Sequence, residues 1–110
     1  MIFYRIVLTD PPGVEAFLSY QAQGRTPATT DPEALRLWSG IAVYATEAQA
    51  RRQAFAYPFL GHYLARLEIP DAGPIRFERT TRSRGHYTLW GEPAAVLACV
   101  VATTPAARVP

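Results

Sequence analysis

The residue types best suited to chemistry lie in residues 86–92, near the end of the chain. This stretch contains His86, Tyr87, Trp90 and Glu92, which supply a proton carrier, two flat aromatic surfaces and a carboxylate. A histidine titrates near neutral pH and a carboxylate accepts hydrogen bonds, so the set suits acid–base chemistry or the binding of a flat ligand. The alternative is a strand whose aromatic side chains pack in the core and whose His86 and Glu92 lie at the surface.

Two earlier stretches carry polar side chains in or beside predicted strands. Tyr4 and Arg5 lie in the first apolar stretch, and Tyr44 and Thr46 lie where a second one meets a predicted helix. Sites in sheets with helices often form at such strand ends. Arg5 is a charge in a strand that otherwise favours burial. It either pairs with an acidic or anionic group, or packs its stem and keeps its guanidinium in water.

The segment 41–56 has the clearest local pattern. Residues 41–45 are apolar and predict a buried strand, and Thr46 can cap a helix over residues 47–56, with Gln49 completing a capping box. The free N–H groups at such a helix start suit an anion. The sequence alone favours a structural corner without a ligand.

Arginines are concentrated in the segment 76–84, which contains Arg76, Arg79, Arg82 and Arg84. Basic residues next to aromatic ones can grip single-stranded nucleic acid. The net charge of the chain is only +2, so nucleic acid is the less favoured partner. A solvated basic loop, or a clamp for one phosphate-bearing ligand, fits at least as well.

The composition predicts one globular domain over residues 1–110. The chain is 49% hydrophobic and 18% charged, which is enough to build a core. It has no apolar run of about 18 residues and no signal-peptide pattern, and its single cysteine, Cys99, lies in an apolar run. These features predict a cytoplasmic protein without membrane contact. Two histidines and one cysteine, far apart in sequence, predict no metal site.

The order of the predicted elements indicates an α+β fold. We expect a mixed, mostly antiparallel sheet of five to six strands with about three short helices. The predicted strands are residues 2–9, 41–45, 62–69, 75–80 and 86–90, and the predicted helices are residues 14–23, 32–38 and 47–56. The tail, residues 94–104, is either a short helix followed by a strand or one long strand, and we favour the former.

Three motifs, taken in order, resemble the compact ADP-ribosyltransferase-like fold, in a layout similar to that of small bacterial members. The first is Phe3-Tyr4-Arg5, the second is residues 40–46 with the helix that follows, and the third is residues 85–91. The resemblance covers most of the chain and implies a cleft for NAD.

The resemblance also implies roles for individual residues. Arg5 matches the first-strand arginine that holds NAD phosphate or ribose, and Tyr44 matches a stacking tyrosine, whereas Ala42 and Ala45 stand where hydroxyl residues are expected. The family's Glu-x-Glu pair is absent. The implied catalytic residues are Arg5, Tyr44, His86 and Glu92, and the implied cofactor-binding residues are Tyr4, Arg5, Tyr44, Thr46, Tyr87 and Trp90.

From the resemblance we expect one of two functions. In the first, the protein binds NAD and transfers ADP-ribose to an unidentified target, stabilising an oxocarbenium-like ribose as nicotinamide leaves. In the second, the same fold is a non-catalytic module that binds a nucleotide or a protein partner.

Overall fold

The computed structural model describes residues 1–80 and 85–107, and within them it has one sheet flanked by short helices. The strands are β1 (Ile2–Val7), β2 (Ile41–Tyr44), β3 (Tyr63–Glu68), β4 (Arg76–Arg79), β5 (His86–Trp90) and β6 (Val100–Pro105). The helices are α1 (Pro32–Trp38), α2 (Glu47–Ala56) and α3 (Pro93–Leu97), with 3₁₀ turns at Val14–Phe17 and Pro58–Leu60. The predicted α+β class is confirmed.

The sheet has the order β4-β5-β2-β1-β3-β6, with β1 near its centre. Every pair of neighbouring strands in the described part is antiparallel, so the parallel pairing that a mixed sheet requires is not found there. The expectation of a mostly antiparallel sheet of up to six strands therefore holds.

Both faces of β1 are covered, as its apolar alternation predicts. Phe3 belongs to a core cluster that also contains Phe17 and Val96, from the first 3₁₀ turn and from α3. Ile6 packs on the other face, in a cluster that contains Tyr44 and the small residues of α2. The central strand thus holds its residues between two packed layers.

The helix caps follow the sequence signals. The Asp31 carboxylate accepts a hydrogen bond from the Ala34 N–H at 2.9 Å at the start of α1. The Thr46 hydroxyl accepts one from the Gln49 N–H at 3.2 Å at the start of α2. Both helices have the predicted bounds because these signals are local.

The predicted helix over residues 14–23 is wrong. It is replaced by a single 3₁₀ turn, after which Leu18 is extended with φ −78° and ψ 126°. In a continuous helix the Ala16 carbonyl would accept the N–H of residue 20. Here it accepts the Nε–H of Arg5 at 3.0 Å instead. A side chain from β1 therefore takes the bond that would have extended the helix.

The carboxyl-terminal tail forms a helix and then a strand, as expected. α3 ends at Leu97 and β6 begins at Val100, and Cys99 between them is half-buried. No helix in the described part of the chain is both long and apolar enough to span a bilayer. The same residues contain no cluster of potential metal ligands.

Candidate functional site: a cavity around Arg5

The candidate site lies where β1 and β2 separate. β1 pairs with β3 at all six of its positions, whereas the described pairing between β1 and β2 is Tyr4 opposite Tyr44. Just beyond that pair, the Arg5 guanidinium extends between the strands. Its Nη1 donates to the Ala42 carbonyl of β2 at 2.7 Å, while its Nε donates to Ala16. One side chain thus links two strands and the 3₁₀ turn.

Within the described residues, the charge of Arg5 has no acidic partner. Burial lowers the pKa of its guanidinium from 12.5 to about 10, and the nearby Tyr20 and Tyr44 oppose that shift. All nine carboxylate side chains of the sequence lie within residues 1–80 and 85–107. The ion pairs formed there involve the amino terminus, Arg36 and Arg51. Arg5 is therefore a largely desolvated cation held by neutral carbonyl groups.

Arg5 lines a cavity of about 130 Å³, which we call the Arg5 cavity. Its wall contains no acidic residue of the described chain. Polar groups come from Ser19, Tyr20, Gln23 and Tyr44, and apolar surface comes from Ile6, Leu18, Ile41 and Leu60, with Gly40 and Ala42 completing the wall. Pockets that hold a drug-sized ligand measure roughly 300–1,000 Å³. The Arg5 cavity therefore fits one small group, such as a phosphate or a nicotinamide ring.

Tyr20 forms the outer part of this wall and is 43% exposed. Its ring centroid lies 4.9 Å from that of Trp38, and the Arg25 guanidinium carbon lies 4.5 Å from the centroid of the Tyr20 ring. The Trp38 Nε1–H donates to the Arg25 carbonyl at 3.2 Å. These contacts hold the Tyr20 ring at the mouth of the cavity.

Tyr44 and His86 are direct neighbours across two strands. They lie opposite each other in the β2–β5 ladder, and their ring centroids are 5.4 Å apart in an edge-on arrangement. Burial raises the pKa of the Tyr44 hydroxyl, and the charge of Arg5 partly offsets this. Burial also lowers the pKa of His86, whose buried Nδ1 finds no hydrogen-bond partner in the described residues.

The structure therefore brings together part of the predicted set. Arg5 and Tyr44 line the same cavity, and His86 contacts Tyr44 but does not line the cavity. Tyr4 lies opposite Tyr44 in the ladder and lines a separate pocket with Arg66. Neither Tyr4 nor the exposed Thr46, whose hydroxyl caps α2, contributes to the cavity wall.

The other predicted residues lie elsewhere. Tyr87 is half-buried and packs against the core, its ring centroid 5.0 Å from that of Phe3, because neighbouring residues of a strand point to opposite faces. Trp90 donates from Nε1 to Ser39 Oγ at 3.2 Å and does not reach Arg5. Glu92 is exposed at the start of α3. The interpretation of Tyr87 as a core residue is the one that the structure supports.

The arginine-rich segment is only partly described. Arg76 and Arg79 are exposed in β4, and Arg82 and Arg84 lie outside the described residues.

Sequence reasoning missed Ser19, Tyr20 and Gln23. The one available signal is that Val14, Phe17 and Leu18 form the apolar face of the helix predicted for that segment, whereas Tyr20 lies off this face and is left to point into a cleft or into solvent.

Comparison with known proteins assigns no family to the chain. No family model matches it, and neither a curated protein nor a solved structure shows significant similarity to it. The geometry of the Arg5 cavity is therefore the basis on which a function can be inferred.

Proposed function

We propose that this domain binds the anionic part of a nucleotide in the Arg5 cavity, with NAD as the expected ligand. The observation that carries the proposal is the desolvated guanidinium of Arg5, which has no carboxylate partner among the described residues and lines a cavity walled by two tyrosines. A buried cation without an anion is costly, so it is seldom kept without a use. An anionic ligand supplies the missing charge.

The hydrogen bonds of Arg5 support binding of this kind. The carbonyls of Ala16 and Ala42 take bonds from Nε and Nη1, and these fix the plane of the guanidinium. Nη2 donates to no atom of the described residues and is not sealed from solvent. It can therefore donate to a phosphate oxygen, and such charge-assisted bonds are roughly twice as strong as neutral ones.

The size of the cavity limits what enters it. At about 130 Å³ it accepts one phosphate group, and the remainder of the nucleotide lies outside. The exposed ring of Tyr20 at the mouth offers a surface on which a base or a ribose can pack.

Binding is better supported than transfer of ADP-ribose. Stabilising an oxocarbenium-like ribose calls for a carboxylate close to the reacting carbon. No carboxylate of the described chain lines the cavity, and Glu92 is exposed at the start of α3. We therefore propose a non-catalytic nucleotide-binding module, which we expect to act in the cytoplasm.

Calorimetric titration of the whole chain with NAD, ADP-ribose, nicotinamide and inorganic phosphate tests the proposal. Tyr44→Phe removes only the hydroxyl at the cavity, and Tyr63→Phe is its matched control on β3, outside the cavity wall. We expect ADP-ribose and NAD to bind, and Tyr44→Phe to weaken that binding about fivefold to tenfold, as loss of one hydrogen bond predicts. The control should bind as the wild type does.

Two results would contradict the proposal: no binding of any of the four compounds, or equal affinities in the two tyrosine variants. Incubation with NAD labelled in the nicotinamide ring separates a module from an enzyme. Binding without release of nicotinamide is the expected outcome. Release that disappears in Arg5→Met would show catalysis instead.

A further inference from the structure

The wall of the Arg5 cavity has a buried inner part and an exposed outer part. Ile41 and Tyr44 of β2 are buried, whereas Tyr20 and Gln23 are exposed. The two exposed residues belong to one turn of chain that begins at Ser19, whose carbonyl accepts a hydrogen bond from the Gln23 N–H at 3.0 Å. The cavity therefore opens to solvent beside this turn, and a ligand group enters from that side.

Several backbone carbonyls of the wall already accept hydrogen bonds within the chain. The Leu18 carbonyl accepts from Gln23 Nε2 at 3.0 Å, and the Ala42 carbonyl accepts from Arg5 Nη1 at 2.7 Å. The Ser19 carbonyl is bonded to the Gln23 N–H, as described above. A ligand group that must donate hydrogen bonds, such as the amide of nicotinamide, thus meets wall carbonyls that are already engaged.

The side chains of the wall, by contrast, offer donors. Ser19 Oγ accepts a hydrogen bond from the Ala22 N–H at 3.1 Å, so the proton of this hydroxyl is free to donate. Burial raises the pKa of the Tyr44 hydroxyl, which therefore keeps its proton at neutral pH. Arg5 Nη2 is the third donor and carries positive charge. This set suits a group that has several anionic oxygens and no proton to give.

We infer that the Arg5 cavity takes the terminal phosphate of a nucleotide, so that a free phosphate monoester is preferred to the internal phosphates of NAD. The inference rests on the proposed function and narrows its ligand to one class. A terminal phosphate has three unesterified oxygens and a charge of about −1.5 to −2 at neutral pH, which matches three donors, one of them cationic.

The number of attachments leads to the same class of ligand. A terminal phosphate has one bond to the rest of the nucleotide, and that bond can leave through the opening beside Tyr20. An internal phosphate has chain on both sides, and a cavity of about 130 Å³ has room for one phosphate group only. Such a phosphate also has one anionic oxygen fewer for the donors of the wall.

Ser19 gives a pair of variants with matched shapes and opposite hydrogen-bonding capacity. Asparagine and aspartate both replace serine well where a side-chain oxygen accepts the N–H three residues later, as Ser19 Oγ does for Ala22. Ser19→Asn also offers an N–H to the ligand, and we expect it to bind ADP within about threefold of the wild type. Ser19→Asp adds a carboxylate at the wall and should weaken ADP binding about a hundredfold or more.

Calorimetric titration of the whole chain with two matched pairs of ligands, at neutral pH and physiological salt, tests the inference. ADP and ADP-ribose differ in whether the terminal phosphate is esterified, and NADP and NAD differ by one phosphate monoester on a ribose. We expect ADP to bind more tightly than ADP-ribose, and NADP more tightly than NAD. Each ratio should be about tenfold or more, because esterification removes one charge and one acceptor oxygen.

The outcomes separate this inference from the proposed function. Equal affinities within both pairs would overturn the inference and leave nucleotide binding intact, whereas no binding of any of the four compounds would overturn both. ADP affinity that survives in Ser19→Asp would also overturn the inference. So would a preference that persists in Arg5→Met, because general attraction to exposed arginines such as Arg76 would then be its source. Circular dichroism checks that each variant is folded, and the Ser19 pair decides the matter if Arg5→Met does not fold.

Discussion

Replacing Arg5 by methionine distinguishes the effect of its buried charge on folding stability from its contribution to ligand binding. Methionine keeps an unbranched apolar stem and removes the guanidinium. Burial lowers the pKa of Arg5 from 12.5 to about 10. At pH 7, below both values, the group is charged in the folded and the unfolded chain, so the full desolvation cost is present. One pKa unit corresponds to about 1.4 kcal/mol, so this cost is about 3 kcal/mol.

Arg5→Met is stabilised by the removal of this desolvation cost and destabilised by the loss of two hydrogen bonds. Each bond from a charged donor contributes about 1.5–3 kcal/mol, so the bonds to Ala16 and Ala42 together contribute about 3–6 kcal/mol. The difference predicts that Arg5→Met lowers the free energy of unfolding by about 0–3 kcal/mol at pH 7. A fold that depended on this side chain as a buried ion pair would lose more, because breaking such a pair costs about 3–5 kcal/mol.

Urea unfolding followed by circular dichroism, with and without ADP-ribose, measures both the free energy of unfolding and the stabilisation that the ligand adds. A ligand at a hundred times its Kd stabilises the native state by about 2.7 kcal/mol. We expect this increment in the wild type and none in Arg5→Met. The matched control, Arg66→Met, changes an exposed arginine of β3 and should keep the increment, with a stability change of about 0.5 kcal/mol or less.

Two results would refute this reasoning. If ADP-ribose stabilises Arg5→Met as much as it stabilises the wild type, the guanidinium is not the anion site. If the variant loses more than about 5 kcal/mol, or does not fold, the hydrogen bonds outweigh the desolvation cost by more than these magnitudes allow. In that case, the stabilisation that ADP-ribose gives to Tyr44→Phe tests binding in the cavity without a change at Arg5.

Three further predictions concern parts of the chain around the site. The pKa of His86 should lie below the ordinary value of about 6.5, because burial disfavours its charged form; titration by NMR that gave a value at or above 6.5 would contradict this. The unfolded chain then binds a proton at His86 more tightly than the folded chain does. The stabilisation from neutral His86 is therefore fully present above about pH 6.5 and decreases as the pH falls from there towards the folded pKa. Gly61→Ala should lower the free energy of unfolding by more than about 3 kcal/mol, because at φ 145° a Cβ collides with the Val7 carbonyl. Gly24→Ala, with φ 76° and open space around it, is the matched control and should cost only about 1–2 kcal/mol in thermal or urea unfolding. Thr46→Ala should cost about 1 kcal/mol through loss of the α2 cap, and an unchanged stability would show that this cap contributes nothing.

The parts of the fold that the sequence predicts are those determined by neighbouring residues. α1 and α2 begin at Pro32 and Glu47 as predicted, because the preceding caps, Asp31 and Thr46, each bind the N–H three residues later. β5 also has the predicted bounds, since Gly85 precedes this strand and Gly91 follows it, with Pro93 two residues later. These signals need no knowledge of the distant chain.

The parts that were not predicted depend on contacts between distant residues. The helix predicted after Gly13 ends after one turn because Arg5, eleven residues before Ala16, takes a carbonyl that the helix needed. Tyr20, in the segment after that turn, lines the Arg5 cavity. By contrast, the separation of His86 from Tyr87 follows from strand alternation, and the sequence already contained that information.

The contact between Tyr20 and Trp38 has a practical consequence. The indole lies 4.9 Å from a ring that lines the Arg5 cavity, so a compound that moves that ring alters the surroundings of Trp38. Trp90, the other tryptophan, is bonded to Ser39 and is not part of the cavity wall. The chain thus carries its own optical probe of occupancy, because in a Trp90→Phe background the emission of Trp38 can be followed without any added label.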